Sequence, residues 1–375
     1  MIKKKVVHIL HCVGGVDVYL RLILENINNE KIENIIIHGI DDTNSEFNDI
    51  NNNKIKSYNV PIYREISLIN DFKAIYFAYK ILKDEKPDLI HCHSAKGGII
   101  GRFLGFLLKI KVLYTPHAFS YLSSESTLKK NIYLYVERIF ANKNSILLPT
   151  SKSELCKGVN EVGYKKVNTK LFTNSINEIK NIKQLTIPKT WPSKYICTVG
   201  RPSYQKNIEL MIRVLKEVTK SFDTHLVIMG VGHHSDKLES VKKLIKELNL
   251  EDSVTLLNWT DRENIFNIIK NSKLYLSTAR YEGLPYSVIE ALALSKPCVV
   301  SDCDGNKDLI QDDYNGYVIQ NENVNEYAEK IKKLLNNDKL SDEFSINALK
   351  SFDENYNIKK NISILEDIYA EYSIK

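Results

Sequence analysis

Two carboxylates separated by a turn form the strongest chemical signal in the sequence. Between Glu282 and Glu290, Gly283 permits a turn, and Pro285 suits a helix start because no N–H is needed there. Glu282 then lies in a loop after an apolar, strand-like run, and Glu290 lies on the helix that follows. A helix N-terminus offers N–H groups to an anion, and carboxylates beside it suit hydrogen bonding to sugar hydroxyls. The alternative interpretation is a capped surface helix with two incidental acids.

A second signal is a pair of cations in a loop that follows another strand-like run. Gly200 permits a tight turn, and Arg201 and Lys206 come before a helix that begins near Ile208. Arginine can bind two phosphate oxygens at once and lysine supplies a point charge, so the pair suits a diphosphate. The alternative is an ordinary solvated loop.

Three further patterns contain metal-ligating residue types. Asp302 and Asp304 form a DxD pattern, but they follow the last strand of the second half, so a turn is the expected structure. The segment His91-Cys92-His93 has two imidazoles at a strand end, yet no other Cys or His lies at zinc spacing from it. The pair His233-His234 is interpreted as a solvated loop. The sequence therefore predicts no metal site.

The hydrophobic pattern indicates the scaffold that positions these segments. Short runs rich in Ile and Val alternate with amphipathic segments, which is typical of βα units around a buried parallel sheet. The expected strands are Val6–Leu10, Ile35–Gly39, Leu89–Cys92, Val112–Thr115 and Ile146–Pro149, then Tyr195–Val199, His225–Met229, Val254–Leu256, Leu274–Ser277 and Pro297–Ser301. The predicted fold class is α/β, with two Rossmann-like doubly wound domains facing a cleft. Ligands of such sheets bind beyond the carboxyl ends of the strands, where both signals lie.

Composition changes along the chain set the expected domain limits. Residues 176–192 are rich in Asn, Lys, Ile and Pro without a clear period, as connectors are. We therefore predict an N-terminal domain over residues 1–175, a linker over 176–192 and a C-terminal domain over 193–350. The remaining residues, 351–375, are expected to form a helix that packs back on the N-terminal domain.

Overall composition excludes several classes of protein. The chain has 375 residues, 26% of them charged and 43% hydrophobic, which is too apolar for a disordered chain and long enough for two domains. A net charge of +6 is too small to indicate a nucleic-acid-binding protein. The six cysteines form no CxxC pair, so we expect reduced thiols and a cytoplasmic protein. The apolar stretch Ile99–Val112 is interrupted by charges and too short to cross a membrane.

Several motifs together resemble one enzyme family. The loop Gly200–Asn207 and the segment Arg280–Ala293 with its two glutamates are similar to motifs of the retaining glycosyltransferases of family 4, which have the GT-B architecture. Further similarities within about residues 6–320 are found at Gly14-Gly15-Val16, Pro87–Ser94, Tyr114–Phe119 and Met229–Gly232. Their joint occurrence in this order is far more specific than any single motif.

The resemblance implies roles for four residues on the donor side. In the family, the loop glutamate and the backbone after it contact the donor hexose, and these correspond to Glu282, Gly283 and Leu284. The helical glutamate, here Glu290, would bind the ribose hydroxyls of the nucleotide.

The resemblance also implies roles for the cations and for three residues of the first domain. Arg201 and Lys206 would bind the diphosphate. His117 corresponds to a histidine near the transferred sugar, and Gly14 and Gly15 would let the backbone approach the phosphates or the acceptor. We expect His117 to orient the hexose and not to act as a nucleophile.

The implied reaction is transfer of a hexose with retention of configuration. We expect a nucleotide diphosphate sugar, specifically a UDP-sugar, as donor and a saccharide or undecaprenyl-linked saccharide as acceptor, in the synthesis of surface polysaccharide such as capsule or O-antigen. Cations and helix dipoles would stabilise the departing diphosphate, so neither a metal nor another cofactor is expected. The alternatives are a GT-B epimerase of sugar nucleotides and a non-catalytic partner that binds them.

The first domain is expected to bind the acceptor. Its segments Gly101–Tyr114 and Leu128–Lys143 combine apolar residues with basic ones, among them Arg102. Helices of this composition suit an anionic leaflet, so peripheral association with the inner face of the plasma membrane is a hypothesis. The alternative is a set of core faces with solvated lysines. No nucleic-acid partner is expected.

Overall fold

The chain forms two compact units. The computed structural model describes residues 3–43, 45–63, 65, 67–124, 126–182, 184, 186–232, 235–258 and 260–373. The pair His233-His234, interpreted above as a loop, lies outside the described residues. One unit comprises Met1–Asn177 with Ile358–Lys375, and the other comprises Glu178–Asn357.

Strands and helices alternate along most of the chain. The strands are β1 Lys4–Ile9, β2 Ile32–Gly39, β3 Ser57–Val60, β4 Leu89–His93, β5 Val112–Thr115, β6 Ser145–Leu147, β7 Ile196–Val199, β8 Leu226–Val231, β9 Val254–Asn258, β10 Leu274–Ser277, β11 Cys298–Ser301 and β12 Gly316–Ile319. The α-helices are α1 Gly15–Leu24, α2 Leu68–Glu85, α3 Ser94–Leu108, α4 Thr127–Phe140, α5 Lys152–Lys157, α6 Ile208–Thr219, α7 Leu238–Glu247, α8 Arg262–Asn271, α9 Tyr286–Ala293, α10 Asn306–Leu309, α11 Val324–Asn336, α12 Asp338–Asn355 and α13 Ile358–Tyr372.

Each unit contains a six-stranded parallel sheet, and the two sheets have the same strand order. The order is β3-β2-β1-β4-β5-β6 in the first unit and β9-β8-β7-β10-β11-β12 in the second. In both sheets the order reverses direction between the first and fourth strands of the unit, which creates a topological switch point. The loops after β1 and β4, and those after β7 and β10, lie at these points. The predicted α/β fold with two doubly wound sheets is confirmed.

Two strands of the structure are absent from the sequence-based prediction. β3 and β12 each have four residues and each lies at the edge of its sheet. β3 is mostly exposed, with only Val60 buried, so it lacks the continuous apolar run that marks a central strand.

The C-terminal helix α13 belongs to the first unit. The Ile358 N–H donates a hydrogen bond of 2.9 Å to the carbonyl oxygen of Ile176. Further along α13, Tyr369 is fully buried and its hydroxyl lies 2.7 Å from Nδ1 of His91 on β4. The chain thus leaves the first unit after residue 177 and returns to it at residue 358. The described part of residues 176–192 contains no helix and no strand longer than an isolated bridge.

Candidate functional site

The loops after β7 and β10 meet at the switch point of the second sheet. Lys206 in the first loop pairs with Glu282 in the second, with 2.7 Å between Nζ and Oε1. Gln205 donates a hydrogen bond of 3.2 Å from Nε2 to the other oxygen of Glu282. Two donors therefore orient a carboxylate whose side chain is only 9% exposed. Lys206 and Glu282, which the sequence assigns to separate motifs, are in direct contact.

Contacts with the neighbouring loop fix the position of the Lys206 loop. The Arg280 N–H donates to the carbonyl oxygen of Gln205 at 2.8 Å, and Arg280 Nη1 donates to that of Tyr204 at 2.8 Å. The Thr278 hydroxyl donates to the carbonyl oxygen of Asn207 at 2.9 Å. Each of these bonds crosses between the loops, so the loop after β10 holds the loop after β7 in place.

A third loop supports the backbone at Gly283. Gly305, which follows β11, has a φ of +80°, and a Cβ there would lie 2.6 Å from the carbonyl oxygen of Gly283. Both the φ and the close approach require glycine at position 305. Leu284 is buried, and α9 begins at Tyr286 with Pro285 as its N-cap. The backbone of Gly283 and Leu284 is thus held between a packed loop and a helix start.

Glu290 has a different cationic partner from Glu282. It lies on α9, is 7% exposed, and accepts a hydrogen bond from Nη2 of Arg262, the first residue of α8. Burial raises the pKa of Glu290, and the Arg262 guanidinium partly offsets that rise. The two carboxylates of the Glu282–Glu290 segment are therefore held by separate cations, one in the loop after β7 and the other at the start of α8.

The remaining residues predicted near this site lie on two loops. Arg201 is half-buried in the same loop as Lys206. Of the two aspartates in the DxD pattern, Asp304 pairs with Lys307 at 2.9 Å. In the part of the chain that the structure describes, Asp302 and Asp304 have no third metal-ligating side chain grouped with them. An ion pair at the start of α10 accounts for Asp304 in this loop.

The first unit places histidines at its own switch point. His8 on β1 and His91 and His93 on β4 are all fully buried. One ring nitrogen from each lies within 4.8 Å of the others. No other Cys or His lies at zinc spacing from the His91-Cys92-His93 segment along the sequence, as expected, but the fold brings His8 beside it. His8 pairs with His91 across the two parallel strands, and spacing along the sequence does not reveal neighbours of this kind.

A run of hydrogen bonds, which we call the histidine chain, joins Asn34, His8, His93 and His117. Nε2 of His8 lies 3.1 Å from Asn34 Oδ1, and Nδ1 of His8 lies 3.1 Å from His93 Nε2. Nδ1 of His93 lies 3.4 Å from His117 Nε2. Burial lowers the pKa of His8 to about 4 and that of His117 to about 3, and it also lowers the pKa of His93. The three rings are therefore neutral at pH 7.

His91 lies beside the histidine chain and has partners of its own. Its Nδ1 lies 2.7 Å from the Tyr369 hydroxyl, and its Nε2 lies 2.9 Å from the Thr115 hydroxyl. Both ring nitrogens of His91, like both of His8 and His93, are thus engaged in hydrogen bonds. A metal ion at this cluster would have to displace several of these bonds, so the histidines are poorly suited to a resident metal.

The loop that carries His117 has an unusual backbone. His117 has a φ of 55° and Ala118 a φ of 73°, which is a left-handed conformation that residues other than glycine rarely adopt. The Ala118 N–H donates a bond of 2.7 Å to Oε1 of Glu154, which is buried. The ring of Tyr19 meets the His117 ring edge-on, with 4.6 Å between centroids. Two neighbours thus hold this strained loop, a feature common at functional sites.

Gly14 and Gly15 begin the helix that carries Tyr19. Gly14 is the N-cap of α1 and has a φ of 61°, and Gly15 is the first helical residue. A Cβ on Gly14 would meet no atom within 4 Å, so the backbone angle is what requires glycine there. The space above the start of α1 is open.

The predicted site residues form two groups, one in each unit. The second unit holds Arg201, Lys206, Glu282, Gly283, Leu284 and Glu290, and the first holds Gly14, Gly15 and His117. Within the second group, Lys206 and Glu282 touch, while Glu290 is paired with Arg262. Within the first group, α1 links the glycines to His117 through Tyr19.

A third feature of the first unit is an apolar surface formed by the neighbouring helices α2, α3 and α4. Its large apolar side chains are between 36% and 73% exposed; they are Leu68, Ile69, Phe72, Tyr76, Phe77, Ile99, Phe103, Phe106, Leu107, Leu128, Ile132, Tyr135 and Ile139. Exposed basic residues on or beside the same helices are Lys73, Lys80, Lys83, Lys109, Lys129, Lys130 and Arg138. We call this surface the helical face. None of the described helices is long and apolar enough to cross a membrane.

Arg102 is not part of the helical face. Its side chain is fully buried, with Nη1 2.9 Å from Oε2 of Glu137 and the guanidinium 3.8 Å above the Tyr114 ring. The expectation that Arg102 adds positive charge to this surface is wrong. It lies among small residues of α3, on the side that faces the sheet, and Glu137 on α4 neutralises it.

Several residues that shape these sites carry no distinctive signal in the sequence. Local spacing does not reveal Arg262, Glu154 and Asn34, because each lies 26 or more positions from its partner. Gln205 lies inside the second motif, next to Lys206, and its position there was the only available indication. His8 interrupts an apolar strand, and a buried polar residue in such a place is itself a signal.

Two family models match the chain in succession. The model described as Glycosyltransferase Family 4 matches residues 13–177, and the model described as Glycosyl transferases group 1 matches residues 177–351. The two matches meet where the chain passes from the first compact unit to the second.

Individual relatives and structures agree with these models. The chain is 28% identical over 333 residues to the UDP-Gal:alpha-D-GlcNAc-diphosphoundecaprenol alpha-1,3-galactosyltransferase of Escherichia coli, covering 84% of each protein. Its fold is similar to that of sucrose-phosphate synthase from Thermosynechococcus elongatus, with a TM-score of 0.83, 16% identity and coverage of 98% and 99%. It is also similar to Anabaena HepE in complex with UDP and glucose, with a TM-score of 0.78, 15% identity and full coverage of both chains. At these identities the structural matches show the fold.

Proposed function

Because the chain is a glycosyltransferase with the two-domain GT-B fold, we propose that it transfers a hexose, with retention, from a UDP-sugar to a saccharide or lipid-linked saccharide of a surface polysaccharide. The observation that carries the proposal is the contact between Lys206 and Glu282 at the switch point of the second sheet, where a doubly wound domain binds its ligand. The E. coli relative is named for a UDP-Gal donor and a diphosphoundecaprenol-linked acceptor, which supports both substrate classes.

On the donor side, Lys206 is suited to lie between two anions. Its ammonium already contacts Glu282, and the same ammonium could also interact with a diphosphate bound on its other side. Arg201, in the same loop, would add a second cation. Gln205 keeps the Glu282 carboxylate oriented, so that its oxygens can accept hydrogen bonds from hexose hydroxyls. Glu290 would accept hydrogen bonds from the ribose hydroxyls.

The proposed transfer depends on stabilising the charge that develops as the bond between the sugar and the diphosphate breaks. As the bond from the sugar C1 to the diphosphate oxygen breaks, negative charge collects on the diphosphate, where Lys206, Arg201 and the N-terminus of α9 would stabilise it. The bond from C1 to the acceptor oxygen forms on the same face, and the acceptor proton passes to the departing phosphate oxygen. His117, neutral at pH 7, would orient the hexose through this oxocarbenium-like state. No step requires a metal or another cofactor.

Two measurements on the full chain test the donor and the stereochemistry. A thermal-shift screen against sugar nucleotides should single out UDP-sugars, since a ligand at 100 times its dissociation constant adds about 2.7 kcal/mol to the free energy of unfolding. NMR of the product should show the same anomeric configuration as the donor sugar. An epimerised sugar nucleotide would establish the epimerase alternative, and binding without turnover on any acceptor would favour a non-catalytic partner.

The proposed independence from metals has its own test. Activity should survive EDTA at a concentration that removes Mn2+ and Mg2+ from solution. Loss of activity that Mn2+ restores would contradict the proposal and would implicate Asp302 and Asp304.

We further propose that the helical face docks on an anionic membrane surface, which brings the first unit to a lipid-linked acceptor. Its apolar side chains are surrounded by lysines and an arginine, the combination by which peripheral proteins bind anionic lipid. Exposed apolar side chains concentrated on three neighbouring helices are typical of a surface with a binding role.

Co-sedimentation with vesicles tests the membrane proposal. The chain should sediment with vesicles containing phosphatidylglycerol at low salt and less so with purely zwitterionic vesicles or at high salt. Replacing Phe106 and Leu107 together by Asp should abolish sedimentation. Ile346→Asp is the matched control, because Ile346 is 70% exposed on α12 of the second unit and outside the helical face. Equal binding by all three proteins, or by none, would overturn the proposal.

A further inference from the structure

The histidine chain is a continuous polar row inside a sheet whose core is mostly apolar. β1, β2 and β4 are central strands of a buried parallel sheet, where continuous apolar residues are expected. His8 and His93 are nevertheless fully buried, and the reaction described above uses neither ring. Burying polar groups is unfavourable unless their hydrogen bonds are satisfied. Here each ring bonds to the next, in a row that ends at His117. Of the three rings in the histidine chain, His117 is the one that is partly exposed.

The direction of these hydrogen bonds follows from the amide oxygen at one end. Asn34 Oδ1 can only accept, so Nε2 of His8 must carry the proton and donate. A neutral imidazole has one donor and one acceptor, so Nδ1 of His8 accepts from Nε2–H of His93. By the same reasoning, Nδ1 of His93 accepts from Nε2–H of His117. The remaining nitrogen of His117, Nδ1, is then a hydrogen-bond acceptor.

We propose that Asn34, His8 and His93 are positioning residues that fix His117 as the Nε2–H tautomer, with Nδ1 presented as an acceptor to a hydroxyl of the bound sugar. His117 would thus accept a hydrogen bond from the substrate and could not donate one. Tyr19 and Glu154 set where the ring lies, through the edge contact and the bond to Ala118, while the histidine chain sets which nitrogen carries the proton. The sugar as ligand rests on the proposed function, but the tautomer does not.

The tautomer can be observed directly in the full-length chain. Ring-15N-labelled histidine and long-range 15N–1H correlation spectra at pH 7.5 report which nitrogen of each ring is protonated. The His117 signals are assigned by their loss in His117→Gln. We expect Nδ1 of His117 to be unprotonated in the wild type. A His117 ring protonated on Nδ1 would overturn the proposal whatever the behaviour of the variants.

Three substitutions distinguish a role of Asn34 in fixing the His117 tautomer from a role in the stability of the fold alone. Asn34→Leu removes the acceptor that sets the direction, so His117 should show a mixture of tautomers. Asn34→Asp keeps an acceptor at the same place and should restore the single tautomer. Tyr369→Phe is the matched control. It removes a buried hydrogen bond to His91, which lies beside the histidine chain, and leaves the histidine chain intact. An unchanged His117 spectrum in folded Asn34→Leu would refute the proposal. If Asn34→Leu does not fold, the wild-type and Asn34→Asp spectra show whether His117 is held as the Nε2–H tautomer.

Kinetics give the second readout. Loss of one well-placed hydrogen bond lowers a rate by about 5- to 10-fold, so kcat of Asn34→Leu should fall by roughly that factor, with KM for the donor little changed. Asn34→Asp should recover most of kcat, and Tyr369→Phe should retain it. Wild-type kcat in Asn34→Leu, or one equivalent of tightly bound zinc in the purified protein, would overturn the proposal. If the wild type transfers no sugar at all, the proposed function fails while the spectra still decide the tautomer.

Discussion

The two sheets of this chain have the same strand order, yet their switch points are built from opposite chemistry. In the second unit, charged side chains line the switch point, and the buried carboxylates of Glu282 and Glu290 each pair with a cation from another segment of the chain. In the first unit, neutral imidazoles and an amide form a continuous hydrogen-bonded row, with no charge of their own at pH 7. The same topology therefore places ion pairs at the switch point of the second unit and a row of hydrogen-bonded neutral rings at that of the first.

This difference fits the division of labour that we propose. A diphosphate needs positive charge near it, and the second unit supplies cations that its own carboxylates hold in place. A sugar hydroxyl needs an acceptor of fixed direction, and neutral rings provide one without attracting counterions or protons.

Acidification should destabilise the first unit more than the second, where His225 is the one described histidine whose pKa is lowered by burial. His8 has a pKa of about 4 in the folded chain, and burial also lowers the pKa values of His91 and His93. Between about pH 6.5 and pH 4 the unfolded chain binds protons that the folded unit excludes, so the free energy of unfolding falls as pH falls. Each of the three buried rings should contribute about 1 kcal/mol of loss between pH 7 and pH 5.5.

Hydrogen exchange read by mass spectrometry can assign that loss to one unit. Peptides from β1 and β4 should lose protection at pH 5.5 after correction for the intrinsic exchange rate, while peptides from β7 and β10 should not. Both tryptophans of the chain, Trp191 and Trp259, fall in the second unit, so their fluorescence provides an independent control. Equal loss of protection in the two units would remove the contrast between them.

Lys206→Ala should weaken donor binding or turnover about 10- to 150-fold, because a hydrogen bond to a charged group contributes about 1.5–3 kcal/mol. The change removes a cation from the proposed diphosphate site and leaves the Glu282 carboxylate without its cationic partner. Lys242→Ala is the control, since Lys242 forms an exposed pair with Glu239 on α7, away from the proposed diphosphate site. Calorimetry with the best UDP-sugar measures both variants, and wild-type affinity in Lys206→Ala would remove Lys206 from the site.

Glu290→Gln keeps the shape of the side chain but removes its charge, and should reduce donor affinity by about 10- to 150-fold. A glutamine accepts fewer hydrogen bonds from a ribose and no longer pairs with Arg262. Glu239→Gln, whose side chain is exposed on α7, should behave as the wild type. A comparison of UDP with UMP and uridine shows whether the lost affinity belongs to the nucleoside, as expected, or to the phosphates.

Gly305→Ala should destabilise the chain more than Gly14→Ala. Both glycines have positive φ, which costs an alanine roughly 1–2 kcal/mol. Only at Gly305 would the new Cβ also meet a neighbouring atom, the carbonyl oxygen of Gly283. Urea unfolding measures both variants. If the two lose the same stability, the loop after β11 does not support the donor site as tightly as the contacts indicate.

Much of this architecture is determined by the sequence itself. Ile- and Val-rich runs of four to six residues specify the central strands, because strands buried on both faces must be apolar throughout. Two edge strands escaped prediction: β3 carries no such pattern, and β12 has only three apolar side chains after Gly316. The motifs around Lys206, Glu282 and Glu290 were recognisable because a loop after a strand and a helix start are local features, defined within a few residues of each other.

Only the tertiary structure decided which of these residues meet. Lys206 and Glu282 lie 76 positions apart, and they touch because β7 and β10 are neighbours at the switch point. The pairing of Glu290 with Arg262, the burial of Arg102 and the joining of His8 to His93 depend likewise on strand order and helix packing. Sequence patterns record the local requirements of strands, turns and helix ends. Partners across a sheet are chosen by the fold, because parallel strands place distant residues side by side.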